Sequence, residues 1–147
     1  MQLSKFSDYA LRTLMHLAAA QDGRMTTRQI AEIHDAKYNH FAKVTQWLVR
    51  EGYVSSLRGR TGGLCLAMPI EDIRIGPILR DLESASPLVD CLSPDGGTCR
   101  LAPSCGLTSA LRIAQEAFFD ALDQTTLAQL VQGNGQMAKL LLSLNQE

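Results

Sequence analysis

The order of patterns in the first half of the chain restricts the fold more than any other feature. Three segments with apolar residues at helical spacing are followed by two short alternating segments on either side of a glycine-rich, basic tip. Helical periodicity indicates amphipathic helices, and alternation interrupted by glycine indicates a β-hairpin. The predicted helices cover about 4–20, 26–33 and 38–51, and the predicted hairpin has strands 53–57 and 64–67 around the tip 58–63. Three helices followed by a hairpin predict a winged helix-turn-helix.

The second half of the chain contains a long loop and a long helix. After a predicted helix over 75–82, residues 84–104 lack periodicity and are predicted to form a loop. Two short C-terminal helices are expected over 126–132 and 136–144. Between them and the loop, an apolar stripe predicts an amphipathic helix over 107–123; the stripe comprises Leu107, Ala110, Leu111, Ala114, Phe118 and Leu122. Such a stripe needs a surface against which to bury, so we expect a homodimer held by this helix.

These patterns predict a mainly α protein with a small β-hairpin, a winged helix-turn-helix with a long dimerisation helix. The expected division is a DNA-binding domain over 1–83, a cysteine loop over 84–106, and dimerisation and C-terminal helices over 107–147. The sequence offers neither a leader peptide nor an apolar stretch of the roughly 20 residues that span a bilayer. We therefore expect a cytoplasmic protein with no membrane partner.

Charge distinguishes the two halves and suggests where DNA would bind. Residues 1–80 hold 11 lysines and arginines against 7 acidic residues, whereas residues 81–147 hold 3 against 8. Base reading needs polar side chains on a helix in the major groove, with cations and hydroxyls on the phosphates. The candidates lie on the second helix, the outward side of the third helix and the hairpin tip: Thr27, Arg28, Tyr38, Asn39, His40, Lys43, Gln46, Arg58, Arg60 and Thr61. The order of helices and hairpin favours double-stranded DNA over an ordinary solvated surface.

Four cysteines point to metal chemistry rather than to disulfides, because a cytosolic compartment keeps thiols reduced. Cys91, Cys99 and Cys105 are separated by seven and then five residues in the predicted loop. Soft thiolates favour iron–sulfur clusters or zinc. The spacing is wider than that of paired zinc ligands, so a cluster is favoured, with zinc and three free reduced thiols as alternatives. Cys65 lies between two leucines of the second strand and is expected to be a small buried hydrophobe.

Three thiolates leave one iron of a four-iron cluster without a protein thiolate. No histidine follows Cys105, so a carboxylate or a small molecule is favoured as the fourth ligand. Asp8 is followed one helical turn later by Arg12. Taken by itself, this spacing predicts only a surface ion pair.

Four stretches of the chain together resemble the NsrR-type nitric-oxide-sensing repressors, which are related to the IscR regulators of cluster assembly. They are residues 1–12, the hairpin 54–66 with its Arg-Gly-Arg-Thr-Gly-Gly core, the segment Ile73-Arg74-Ile75-Gly76, and the three-cysteine loop. The resemblance runs through essentially the whole chain. It implies a homodimeric winged-helix repressor with a 4Fe-4S cluster bound by Cys91, Cys99 and Cys105 and by Asp8 of the partner subunit. It also implies that Asp8 and Arg12 couple the state of the cluster to DNA binding.

Two departures from related sequences bear on this resemblance. IscR-like members have a histidine shortly after the third cysteine, where this chain has Gly106-Leu107-Thr108, so the nitric-oxide branch is favoured. The first inter-cysteine spacing is seven rather than the common five because of Pro94-Asp95-Gly96-Gly97. This insertion affects the path of the loop and not the set of ligands.

The mechanism implied by the resemblance is loss of DNA affinity when nitric oxide nitrosylates the cluster. The two DNA-binding domains of a dimer must meet half-sites about one turn of the DNA helix apart. A small rotation of one domain relative to the other therefore prevents both from docking at once. A 2Fe-2S sensor of redox state or cluster supply in the same superfamily is the alternative. A zinc-stabilised adaptor without a DNA role is a second alternative. An enzyme is not expected, since no Ser/His/Asp, HExxH or glycine-rich phosphate motif is present.

Overall fold

The computed structural model describes residues 2–59, 62–133 and 135–146. Its elements are α1 (Lys5–Ala19), α2 (Thr27–Ile33), α3 (Tyr38–Arg50), β1 (Val54–Leu57), β2 (Gly63–Leu66), α4 (Ile75–Glu83), α5 (Gly106–Asp123), α6 (Leu127–Val131) and α7 (Gly135–Leu144). Two short 3-10 turns, Asp90–Leu92 and Ala102–Ser104, lie between α4 and α5. The predicted fold class is confirmed: the protein is mainly helical with one two-stranded antiparallel hairpin in its described part.

Packing divides the chain into two compact units. One unit comprises Lys5–Ile73 with Thr126–Glu147, and the other comprises Met1–Ser4 with Arg74–Thr125. The first unit contains the three N-terminal helices, the hairpin, α6 and α7, and the second contains α4, the cysteine loop and α5. The functional division into 1–83, 84–106 and 107–147 remains a prediction, because compact units record packing and not function.

The first unit is built around large apolar side chains that the helical period places on facing sides. Leu14, Ile30, Phe41 and Leu48 are fully buried at the meeting of α1, α2 and α3. At the start of α2, Thr26 forms a capping box in which it and the residue at the third helical position satisfy each other's backbone amides.

Two turns set the path of the chain around α3. Asp35 has a φ of 45° in the turn between α2 and α3, which bends the chain sharply there. Gly52 follows α3 with a φ of 79°, a conformation for which glycine has no Cβ penalty. α3 is therefore bounded on both sides by residues with a positive φ.

The hairpin is tied to the segment that precedes α2. Its register pairs Val54 with Leu66 and Leu57 with Gly63. Met25 bridges Leu64 through backbone hydrogen bonds of 2.7 and 3.1 Å, so the base of the hairpin is fixed to the helical core.

The second unit packs α4 against α5. Arg80 forms ion pairs of 2.6 Å with both Glu116 and Asp120. Gly76 allows a close approach of the two helices, because a Cβ at this position would collide with Asp123. α5 buries Thr108 and Phe119, while all six residues of the predicted apolar stripe are half-buried or exposed in the single chain.

Candidate functional site

The outward face of α3 presents the side chains predicted to read DNA. Phe41, Val44, Thr45 and Leu48 anchor the helix in the core. The opposite face is exposed along its first three turns, with Tyr38, Asn39, His40, Lys43 and Gln46 all in contact with solvent. A helix with short polar side chains on its free face and with its apolar face anchored has the form required for insertion into a major groove.

The start of α2 is joined to α3 by two side-chain contacts. The Arg28 guanidinium lies 5.3 Å from the centre of the Tyr38 ring. The Thr27 and Thr45 hydroxyl oxygens are 3.4 Å apart. A guanidinium stacked on an aromatic ring keeps its outward N–H groups free for phosphate oxygens. The structure thus brings Thr27 and Arg28 onto the same surface as the α3 residues.

The hairpin tip is only partly described. Arg58 is exposed at the end of β1. Arg60 and Thr61, which the sequence predicts to contact DNA, are outside the described residues. Cys65 of β2 is half-buried rather than fully buried, with its sulfur 3.8 Å from the Ser55 carbonyl oxygen.

Cys91 and Cys105 converge on the first turn of α5. The Cys91 sulfur lies 3.2 Å from the Thr108 hydroxyl oxygen. Cys105 is the N-cap of α5, and the neighbouring backbone N–H and hydroxyl of Thr108, with the Leu107 N–H, lower the pKa of its thiol. Donors at the start of a helix stabilise a thiolate, the form in which cysteine binds metal. Thr108 is therefore the residue that connects two of the three predicted ligands.

Cys99 is connected to Cys91 through their neighbours in the chain. The Thr98 backbone amide and hydroxyl both donate to the Asp90 carboxylate, at 2.7 and 3.1 Å. Gly97, with a φ of 62°, packs so closely on Asp90 that a Cβ would collide with the Asp90 carbonyl. The insertion that precedes Cys99 thus forms a tight turn that returns the chain to Cys91.

The thiols are not gathered into a complete ligand set. Among the described residues, no three histidine, cysteine or acidic side chains lie close enough together to hold a metal ion. Cys99 is exposed, while Cys91 and Cys105 are half-buried. The fit to a metal therefore rests on the chemistry of the thiols and on the Thr108 and Asp90 contacts.

Asp8 lies on the free face of α1, in the unit that does not contain the cysteines. Its carboxylate pairs with the Arg12 guanidinium at 2.9 Å, and both side chains are 43% exposed. The ion pair predicted from the spacing is present.

A polar cluster that the sequence did not predict lies next to this ion pair. His16, His34 and Asn145 form side-chain hydrogen bonds in the interior of the first unit. Burial lowers the pKa of His16, and burial together with the neighbouring His16 ring and the positive charge of Arg12 lowers the pKa of His34 to about 4. The His16–Asn145 contact joins residues 129 positions apart, so no local pattern in the sequence signalled it.

Comparison with known proteins places the chain in a family. Its sequence matches the Rrf2 family, described as iron-dependent transcriptional regulators, over residues 3–133. No helix among the described residues is both long and apolar enough to cross a membrane.

Solved structures that share the fold of this chain include an IscR and two CymR proteins. IscR of T. potens is 23% identical with a TM-score of 0.71, over 90% of this chain and 88% of that chain. CymR of Staphylococcus aureus is 28% identical with a TM-score of 0.67, over 86% and 95%. CymR (YrzC), the global cysteine regulator of B. subtilis, is 26% identical with a TM-score of 0.69, over 91% and 98%. The match along nearly the full length shows that the chain belongs to the Rrf2 family of transcriptional regulators.

Proposed function

We propose that the chain is a homodimeric transcriptional repressor that senses nitric oxide through an iron–sulfur cluster. The observation that supports this most directly is the convergence of Cys91 and Cys105 on Thr108 at the start of α5. The family description as iron-dependent regulators points to the same metal. The resemblance of the motifs to nitric-oxide-sensing repressors supplies the signal.

The proposed ligands are Cys91, Cys99 and Cys105, with Asp8 of the partner subunit as the fourth. Thr108 favours the thiolate of Cys105, and the link between Asp90 and Thr98 tethers the segment that contains Cys99. Soft thiolates are the ligands that iron–sulfur clusters require. The donor set therefore fits a cluster in its chemistry.

The exposed stripe of α5 supplies the proposed dimer interface. Leu107 of this stripe is 65% exposed, and Ala110 and Ala114 are exposed as well. A long helix that leaves such side chains in water gains stability by burying them against a second copy. A dimer also brings Asp8 of the partner subunit within the same assembly as the cysteines.

The proposed DNA contacts come from both members of the dimer. On each half-site, α3 enters the major groove with Asn39 and Gln46 suited to adenine, while Arg28, Lys43 and Arg58 meet phosphates. When bound, the cluster would supply iron that reacts with nitric oxide. Asp8, once released from ligation, would return to its ion pair with Arg12 on α1. We infer that this return changes the angle between the two DNA-binding heads.

An anaerobic preparation tests the proposal. Iron and acid-labile sulfide are expected, with absorption and Mössbauer spectra of a 4Fe-4S cluster and with loss of DNA mobility shift on titration with nitric oxide. A Cys91→Ala variant is expected to lose the iron. Cys65→Ala, which alters the cysteine of β2, is the matched control and should keep it. Iron-free protein that binds its operator at full strength and ignores nitric oxide would refute the proposal.

A 2Fe-2S cluster that senses redox state or cluster supply is the alternative from the same ligands. The same spectra distinguish the two, because the clusters differ in iron count and in Mössbauer parameters. In that case oxidation and reduction, and not nitric oxide, would change DNA affinity.

A further inference from the structure

A continuous series of hydrogen bonds joins the surface of α1 to the interior of the first compact unit. It runs from Asp8 through Arg12, His34 and His16 to Asn145. Arg12 Nη1 lies 3.2 Å from His34 Nδ1, the two Nε2 atoms of the histidines are 2.9 Å apart, and His16 Nδ1 lies 2.5 Å from Asn145 Oδ1. The series therefore connects α1, the end of α2 and the end of α7.

Arginine fixes the direction of every bond in this series, because a guanidinium only donates. His34 Nδ1 must accept from Arg12, so its proton is on Nε2 and is donated to His16 Nε2. The proton of His16 is then on Nδ1 and is donated to Asn145 Oδ1. Asn145 Nδ2 donates in turn to the His16 carbonyl at 3.2 Å, which agrees with the orientation of its amide. The two histidines are thus neutral and in opposite tautomers.

The surroundings of the two rings favour this neutral arrangement. The charged groups that face them are Arg12 and Asp8, both from α1. α3 contributes the ring of Phe41, stacked 5.9 Å from His34, and Asn145, directly after α7, contributes an uncharged amide. Burial lowers the pKa of both histidines, to about 4 for His34, so both rings are neutral at pH 7.

We propose that His34, His16 and Asn145 are positioning residues that hold Arg12 on Asp8, so that withdrawal of Asp8 is transmitted to the turn between α2 and α3. His34 is the C-cap of α2, and the left-handed Asp35 follows it at once. A change in the bond from Arg12 to His34 therefore acts where the orientation of α3 is set. The proposal rests on the proposed function in that Asp8 is the group withdrawn.

Nitrogen NMR of the histidine rings in iron-free protein tests the series without any cluster. The expected spectrum at pH 7 has His16 protonated on Nδ1 and His34 protonated on Nε2. Asp8→Asn and Arg12→Gln should shift the ring nitrogens of His34 and the side-chain amide of Asn145. Arg50→Gln, which alters a surface arginine paired with its neighbour, is the control and should leave these signals in place. The proposal would be overturned if both rings were in the same tautomer, or if Asp8→Asn left the His34 and Asn145 signals unchanged.

A second experiment measures the coupling in iron-loaded protein with two variants of His34. His34→Phe keeps a ring against Phe41 but neither accepts from Arg12 nor donates to His16, and it should reduce the iron-dependent change in DNA affinity by roughly fivefold or more. His34→Gln keeps one acceptor and one donor and should retain most of the change. Equal coupling in the two variants would overturn the proposal. If the wild type shows no iron dependence at all, the proposed function fails, and the tautomers still decide the hydrogen-bond series.

Discussion

The helix-turn-helix and the cysteine loop are held together by different forces. In the first, Leu14, Ile30 and Phe41 are removed from water, and full burial of such a side chain contributes about 1.5–3 kcal/mol. In the loop, no residue from Ser84 to Leu107 is buried. Its order comes from hydrogen bonds such as that from Thr98 to Asp90, which are worth about 0.5–1.5 kcal/mol each. One region is organised by its own core, and the other is organised by short-range polar contacts.

The largest expected effect comes from emptying the core at Phe41. This side chain is fully buried and stacks 4.5 Å from Tyr9. Phe41→Ala should lower the free energy of unfolding by about 3–5 kcal/mol, because it removes apolar contacts and leaves a cavity. Urea unfolding followed by circular dichroism measures this loss, and DNA binding should fall with it.

A truncation in the loop is the matched control for the core. Leu92 lies in the first 3-10 turn and is only half-buried. Leu92→Ala should change the unfolding free energy much less than Phe41→Ala does. Similar losses from the two substitutions would mean that the loop belongs to the same cooperative core.

Acid is expected to weaken the helical core through its histidines. The pKa of His34 is lowered from 6.5 to about 4 in the folded protein, chiefly by burial, while the unfolded chain keeps the ordinary value. Between pH 6.5 and about pH 4 the unfolded state therefore binds more protons than the folded state. The contribution of His34 to the free energy of unfolding is complete above pH 6.5 and declines as the pH falls toward 4. Urea midpoints across this range should show the decline, with a shallower slope in His34→Gln. An unchanged slope in that variant would assign the decline to other groups.

Gly97 tests the loop without touching the core. Gly97→Ala places a Cβ against the Asp90 carbonyl and forces a left-handed residue, which costs roughly 1–2 kcal/mol for the backbone alone. We expect faster loss of iron on dilution with an unchanged urea midpoint for the helices. Gly96 also has a positive φ, of 81°, but a Cβ at this position would meet no neighbouring atom. Gly96→Ala should therefore accelerate iron loss less than Gly97→Ala does. A shifted midpoint in Gly97→Ala, or equal iron loss in both, would contradict this account.

The difference between the helix-turn-helix and the cysteine loop also decides which features the sequence could predict. The helices and the hairpin follow from periodic apolar residues, and each predicted bound lies within about two residues of the observed one. The path of the loop was not predictable, because the turn at Gly97 depends on a carboxylate seven residues earlier in the chain. The contact of His16 with Asn145 was missed for the same reason, since no local pattern encodes a contact between the first and last helices.

The finest test of the loop removes a single hydroxyl at Thr108. The hydroxyl lies 3.2 Å from the Cys91 sulfur, and together with the backbone N–H groups of Thr108 and Leu107 it lowers the pKa of the Cys105 thiol. Thr108→Val keeps the backbone donors, so the pKa of Cys105 should rise only part of the way toward its ordinary value. Alkylation of iron-free protein at pH 7, read at the Cys105 peptide by mass spectrometry, should slow, because the thiolate is the form that reacts.

Thr98→Val is the control for that measurement, because it removes a hydroxyl of the same loop that donates to Asp90 and not to a thiol. It should leave the alkylation rate of Cys105 unchanged. If both variants slow alkylation equally, the reactivity of Cys105 follows the general order of the loop. If only Thr108→Val slows it, the first turn of α5 prepares a thiolate through a specific donor. The cysteine loop would then owe its metal-binding character to the one helix on which it ends, whereas the helix-turn-helix depends on burial throughout.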